Sequence, residues 1–113
     1  MCSSDLLLRI QKKCRDRGVA FGVALWPLLV GLEQGADYPF ESAHAQIKKG
    51  VERSGIPFVD LLKTLKGRDS ASLWVHPSDL HPNEIAQSLV APFLTEFAHL
   101  RLLETANRQP VAK

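Results

Sequence analysis

The stretch Val19-Ala-Phe-Gly-Val-Ala-Leu-Trp26, closed by Pro27, decides the fold of this 113-residue chain. It is a continuous apolar run of strand length that contains β-branched and aromatic residues and no polar alternation. Such a run is typical of a strand that is buried on both faces, as in a parallel sheet covered by helices. The sequence therefore predicts an α/β protein built around this strand.

A second short strand is predicted for Ile56-Pro-Phe-Val-Asp60, where Pro57 is tolerable because it lies near the start of the strand. Between the two strands, apolar residues at helical spacing predict a helix from Glu41 or Ser42 to about Ser54. Strands that are joined through a helix imply a right-handed crossover and a parallel sheet. We therefore expect Val19–Leu25 and Ile56–Val59 to be adjacent parallel strands.

Two further helices are predicted at the ends of the chain. The first begins at about Leu6 and ends at Gly18, and the last begins at Pro82 or Asn83. Pro92 lies inside the last helical pattern and should kink or interrupt the helix near Ala91. The segment 72–80, which precedes the last helix, is predicted to be irregular.

The composition excludes several classes of protein. Hydrophobic residues make up 45% and charged residues 23% of the chain, whereas disordered proteins have low hydrophobicity and high net charge. The net charge of +2 is too small to indicate nucleic-acid binding. The longest apolar stretch, Val19–Val30, is shorter than the roughly 20 residues that a membrane-spanning helix needs. We therefore expect a globular domain with no nucleic-acid partner and no membrane span.

The densest polar cluster is His76-Pro-Ser-Asp-Leu-His-Pro-Asn83, immediately before the last helix. Sites in open parallel sheets lie beyond the carboxyl ends of the strands, an edge that this segment can reach. A histidine with a carboxylate two residues upstream can act as a general base that is held by an orienting acid. This chemistry makes His81 the candidate base and Asp79 its candidate partner.

Other interpretations of the cluster remain open at this point. His81 could simply precede a helix cap at Asn83, with its polar groups satisfied by the backbone. His76, Asp79 and His81 are also suitable ligand types for a metal ion.

Three more polar residues are candidates for a site. His44 and His99 fall on predicted helices among polar neighbours, and we interpret both as surface residues. Asp60 ends a predicted strand, where it either caps the following turn or contacts a site.

The cluster also resembles a known family. Asp79-Leu-His-Pro-Asn83, followed by Ala86 and a helix, is similar to the last conserved block of the SGNH (GDSL-type) hydrolases. In that family an aspartate and a histidine ahead of the last helix complete a triad with a serine. Ala24–Pro27 and Ser54–Leu61 are similar to two of its strand elements, so the resemblance covers about residues 7 to 97.

The resemblance implies a flavodoxin-like, three-layer α/β/α fold with a parallel sheet. It also implies ester hydrolysis by acyl transfer on a small-molecule substrate, with no cofactor. His81 would take the proton of the serine, and Asp79 would orient His81.

Two features depart from the family pattern. The aspartate of the family usually lies three positions before the histidine, where this chain has Ser78 and Asp79 lies only two before. The nucleophilic serine of the family follows its first strand in a Gly-Asp-Ser motif, and no such segment precedes residue 7. Gly67-Arg-Asp-Ser70 follows the second strand and is a chance echo of the motif.

These departures lead us to expect residues 7–105 to be the C-terminal part of one SGNH-like domain. Residues 1–6, Met-Cys-Ser-Ser-Asp-Leu, resemble translated sequencing-adapter read-through and are interpreted as a non-native start. Residues 106–113 are interpreted as a frayed tail. On this interpretation the chain alone is inactive. The alternative is a non-catalytic α/β binding module, in which the 74–83 segment serves only packing and capping.

Overall fold

A computed structural model describes residues 3–103 of the chain, and the predicted tail 106–113 lies outside these residues. The elements, in chain order, are α1 (Ser3–Asp16), β1 (Val23–Leu25), α2 (Glu41–Arg53), β2 (Phe58–Asp60), α3 (Leu62–Leu65), a 3-10 turn (Ser70–Leu73), β3 (Trp74–His76), β4 (Asp79–Pro82), α4 (Glu84–Phe97) and a π-helical segment (Ala98–Leu103). The chain is therefore a mixed α/β protein, as predicted. No described helix has both the length and the apolar character that crossing a membrane requires.

The strands β1 and β2 form the parallel pair that the sequence predicts. Val23 lies opposite Phe58 and Leu25 opposite Asp60, with α2 as the crossover between the strands. Both strands are shorter than the apolar runs that predicted them. Because the pair is parallel, both strands end at the same edge of the sheet.

Side chains that alternate along β2 pack into two separate hydrophobic clusters. Phe58 packs with Val51 of α2, whereas Val59 packs against the cluster that contains Val90 of α4. Successive side chains of a strand point to opposite faces, so helices cover β2 on both sides.

The prediction that the first strand is buried on both faces is wrong. Ala24 is exposed although it lies directly beside Val59, and Val19 is 56% exposed. On this face of the sheet, α4 packs over β2 but does not cover Ala24 of β1, which stays open to solvent. At Gly22 the C-terminal segment does approach β1 closely, because a Cβ atom there would lie 2.7 Å from the side chain of Leu102.

The segment predicted to be irregular is a β-hairpin. Strands β3 and β4 pair antiparallel, with Trp74 opposite Pro82 and His76 opposite Asp79, and the pairing contains a bulge between these two positions. Pro77 and Ser78 make the turn. Pro77 and Pro82 argue against strands in this part of the sequence. In the structure they occupy the turn and the end of a strand, where a missing N–H is tolerated.

Helix α4 begins as predicted, since Asn83 caps it by accepting a hydrogen bond from the N–H of Ala86 at 3.0 Å. The predicted interruption near Ala91 is absent, and the helix continues through Pro92 to Phe97. A proline inside a helix leaves the carbonyl four residues earlier without its donor. That carbonyl belongs to Ser88, an exposed residue, so water can take the place of the donor.

Candidate active site

The β3–β4 hairpin, which carries the candidate base, is fixed to the loop that leaves β1. The indole N–H of Trp74 donates to the carbonyl of Leu29 at 2.6 Å, and the N–H of Leu32 donates to the hydroxyl of Ser70 at 3.1 Å. Leu29 and Leu32 follow the carboxyl end of β1 by four and seven residues. These bonds join the hairpin, and the 3-10 turn before it, to the edge of the sheet where the sequence predicts a site.

Asn83 holds the base of the hairpin as well as the helix. Its amide group donates to the carbonyls of Ser72 and Trp74 at 2.8 and 3.1 Å, and its N–H donates to the carbonyl of Leu73. The interpretation of Asn83 as a helix cap is confirmed. The same bonds restrain the backbone two residues after His81, so a capping role and a site role are compatible.

The structure brings His81 and Asp79 together. The Nδ1 atom of His81 lies 2.5 Å from Oδ1 of Asp79, and the same oxygen accepts the backbone N–H of His81 at 3.1 Å. The side chain of His81 is 85% exposed and that of Asp79 47% exposed. Because the carboxylate accepts the proton on Nδ1, the neutral ring presents an unprotonated Nε2 toward solvent.

Electrostatics keeps the partner of this base ionised. The hydrogen bond from the His81 side chain, followed by that from its backbone N–H, lowers the pKa of Asp79 below its usual value. A carboxylate that stays charged can hold the imidazole in one tautomer and stabilise the imidazolium that forms when the ring takes a proton. The two-residue spacing between Asp79 and His81 therefore still gives the geometry of an orienting acid.

His76 does not join this pair. Its Nδ1 atom accepts a hydrogen bond from the backbone N–H of Ser78 at 3.2 Å and lies 2.8 Å from the Ser78 hydroxyl. No group of three histidine, cysteine, aspartate or glutamate side chains within residues 3–103 could hold a metal ion. The metal-site interpretation of His76, Asp79 and His81 is thus not realised, because the two rings turn to different partners.

Ser70, the serine of the Gly67-Arg-Asp-Ser70 segment, is not positioned to act as a nucleophile. Only 3% of the residue is exposed, and its hydroxyl is held by the N–H of Leu32. Its own N–H donates to the carboxylate of Glu33 at 3.0 Å. The residue ties the β1 loop to the segment before the hairpin.

A second histidine–aspartate pair is present that the sequence reasoning missed. The prediction that His44 is a surface residue is wrong, since the residue is only 6% exposed. Its Nδ1 atom lies 3.0 and 2.9 Å from the two carboxylate oxygens of Asp60. Helical spacing could have predicted the burial of His44, because this residue lies seven residues before buried Val51 and so shares its helix face. His99, by contrast, is exposed, as predicted.

The His44 pair belongs to a continuous chain of hydrogen bonds. The N–H of Leu28 donates to the Tyr38 hydroxyl oxygen at 2.9 Å, and this hydroxyl lies 3.0 Å from Nε2 of His44. With Asp60 ionised, Nδ1–H of His44 donates to the carboxylate, and Nε2 accepts the hydroxyl proton of Tyr38. Burial, together with the nearby charge of Asp60, raises the pKa of Tyr38 against the effect of the Leu28 bond, so the hydroxyl keeps its proton.

Asp60 caps the following turn, which is one of the two roles that were open for it. One of its oxygens accepts the N–H of Leu62 at 2.9 Å and so caps the turn that begins α3. The carboxylate also fixes His44. Through Tyr38 and Leu28, these hydrogen bonds link the carboxyl ends of β1 and β2. Both ring nitrogens of His44 have hydrogen-bond partners. This series of hydrogen bonds therefore has a structural role, and His44 is not available as a general base.

Comparison of the sequence and the structure with family models, curated proteins and solved structures found no match. What the protein does has to be inferred from the chemistry of its own residues.

Proposed function

We propose that this chain supplies the general base and the orienting acid of a serine ester hydrolase of the SGNH type. The observation that carries the proposal is the His81–Asp79 pair, in which one ring nitrogen is held by a carboxylate and the other is open to solvent. The parallel β1–β2 pair would then be part of the larger parallel sheet of a flavodoxin-like, three-layer α/β/α fold. The substrate would be a small-molecule ester, and the chemistry needs no cofactor.

In the proposed reaction the serine oxygen attacks the acyl carbon of the ester while Nε2 of His81 takes the hydroxyl proton. The imidazolium then returns this proton to the leaving alkoxide, and the C–O bond of the ester breaks to give an acyl-enzyme. Water then attacks the acyl-enzyme in the same way, with His81 again taking the proton, and the carboxylic acid is released. Asp79 stays ionised throughout and stabilises the imidazolium without accepting its proton.

The nucleophile would come from a segment outside the 113 residues. Ser70 is buried and engaged with Leu32, and Ser78 lies beside His76 in an exposed turn. A Gly-Asp-Ser motif encoded upstream of residue 7, after a predicted strand, is the feature that the proposal requires. A full-length gene without such a motif contradicts it.

The test is hydrolysis of p-nitrophenyl acetate by the protein extended with its upstream coding sequence. His81→Ala is expected to lower kcat by about 10²–10⁴-fold, because it removes the general base. His76→Ala is the matched control, since it removes an exposed imidazole from the same hairpin without touching the pair. Loss of activity in the control alone, or unchanged turnover in His81→Ala, contradicts the proposal.

A further inference from the structure

Strand β2 has one edge that is free of backbone pairing among residues 3–103. On the other edge, the N–H of Val23 donates to the carbonyl of Pro57, and the N–H of Leu61 donates to the carbonyl of Leu25, both at 2.9 Å. Alternate residues of a parallel strand bond to the same neighbour. Phe58 and Asp60 therefore direct their backbone N–H and carbonyl groups away from β1. Unpaired groups of this kind are a template for another strand.

This free edge forms the floor of a groove of about 520 Å³. One wall is a single face of α2, and the other is made by α3 together with Arg101 of the C-terminal segment. Along α2 the groove-lining residues run from Glu41 to Glu52, which corresponds to a rise of roughly 16 Å in a helix. An extended segment of about five residues has the same length.

The walls of the groove carry more positive than negative charge. Glu41 is paired with Lys66, whereas Asp60, on the floor of the groove, contributes a negative charge that the neutral His44 beside it does not cancel. On the walls, the remaining charged groups are three cations and one carboxylate, namely Lys48, Lys63, Arg101 and Glu52. The cations lie on both walls, so they can face acidic side chains on either side of an inserted strand.

We propose that the free edge of β2 is a docking site for an extended acidic peptide segment, which adds to the sheet as a third strand. Backbone hydrogen bonds to Phe58 and Asp60 would provide affinity, as in other cases of strand addition. Lys48, Lys63 and Arg101 would select a segment that carries carboxylates. The open edge favours a peptide over a nucleic acid, which has no backbone N–H groups to pair with a strand. This inference does not rest on the hydrolase proposal, and the two are compatible when the further strands of a larger sheet pair with the edge of β1 that no described strand occupies.

The test uses the 113-residue chain and a labelled synthetic peptide, acetyl-Val-Glu-Glu-Val-Glu-Glu-Val-amide, which as a strand presents carboxylates on both faces, with binding followed by fluorescence anisotropy. The proposal predicts saturable binding, with chemical-shift changes at the amides of Phe58 and Asp60. The double substitution Lys48→Glu/Lys63→Glu is expected to weaken Kd by about tenfold or more, which corresponds to about 1.4 kcal/mol. Lys49→Glu is the control, because Lys49 is an exposed neighbour of Lys48 on α2 but does not line the groove.

Two probe controls separate strand addition from other modes of binding. A peptide that is N-methylated at alternate residues on its pairing edge keeps the charge but cannot donate to β2, and its binding should be lost. Equal binding of the methylated peptide, tight binding of an oligothymidylate, or equal weakening by Lys49→Glu overturns the proposal. Absence of peptide binding overturns it too, as does a stable dimer in which a second copy occupies the edge.

Discussion

Two histidine–aspartate pairs in this protein share one contact and differ in everything around it. In each pair Nδ1 of the histidine faces a carboxylate, of Asp60 in the buried pair and of Asp79 in the exposed pair. In the buried pair the Tyr38 hydroxyl occupies Nε2 of His44, whereas Nε2 of His81 points toward solvent. The comparison shows that the surroundings of a pair decide between a structural tie and a base that is available for proton transfer.

The energetic expectations for the two pairs differ for the same reason. Removing one member of the buried pair leaves the other without its partner at a place that is largely shielded from water, since the side chains of His44 and Asp60 are 8% and 22% exposed. Removing one member of an exposed pair costs little, because water replaces the lost partner. Stability measurements therefore probe the buried pair, and chemical measurements probe the exposed one.

The largest effect on stability is expected for Asp60→Ala. This substitution deprives His44 of its acceptor and removes the cap on the N–H of Leu62. We expect the free energy of unfolding to fall by about 3 kcal/mol, measured by urea denaturation. Asp79→Ala is the matched control and should leave the free energy of unfolding unchanged within error. Equal losses in the two variants would remove the distinction between the pairs.

A smaller loss is expected for Tyr38→Phe. The ring and its packing remain, but the Leu28 N–H loses its acceptor and Nε2 of His44 loses its donor. The expected cost is about 1–2 kcal/mol in the same denaturation experiment. A fully stable Tyr38→Phe variant would show that the hydrogen-bond chain does not tie the strands together.

The smallest effect is a shift in the titration of Asp79. Because its pKa is lowered in the folded protein, the pair is fully formed above the ordinary value of 3.8 and is lost as the pH falls through the folded pKa. Carboxyl carbon NMR should therefore give a midpoint below 3.8 in the unmodified chain. His81→Ala should raise the midpoint toward the ordinary value, since it removes the largest cause of the shift. An unchanged midpoint would contradict the hydrogen bond.

The sequence predicts the helix-linked parallel strands because local signals fix them: an apolar run at Val19–Trp26, a helical period before Gly55 and a second run ending at Asp60. It also predicts which residues of the exposed pair meet, because Asp79 and His81 are close along the chain and the Asn83 cap restrains them. Both members of this pair lie within one hairpin strand, so no tertiary information is needed.

The buried pair depends on tertiary contacts instead. His44 and Asp60 lie 16 residues apart and meet only when α2 packs on β2, and Tyr38 reaches them from a loop. The polar neighbours of His44 on α2 give no indication that it is buried, since composition does not show which helix face the sheet covers. The exposure of Ala24 is equally invisible, because it depends on how far α4 extends across the sheet.

The tautomer of His81 tests the central claim most directly, and nitrogen NMR of the 113-residue chain can measure it at a pH at which the imidazole is neutral. The account predicts a proton on Nδ1 and a free lone pair on Nε2, with this preference lost in Asp79→Ala. A ring protonated on Nε2, or a tautomer that Asp79→Ala does not change, would contradict the assignment of His81 as a base that Asp79 orients.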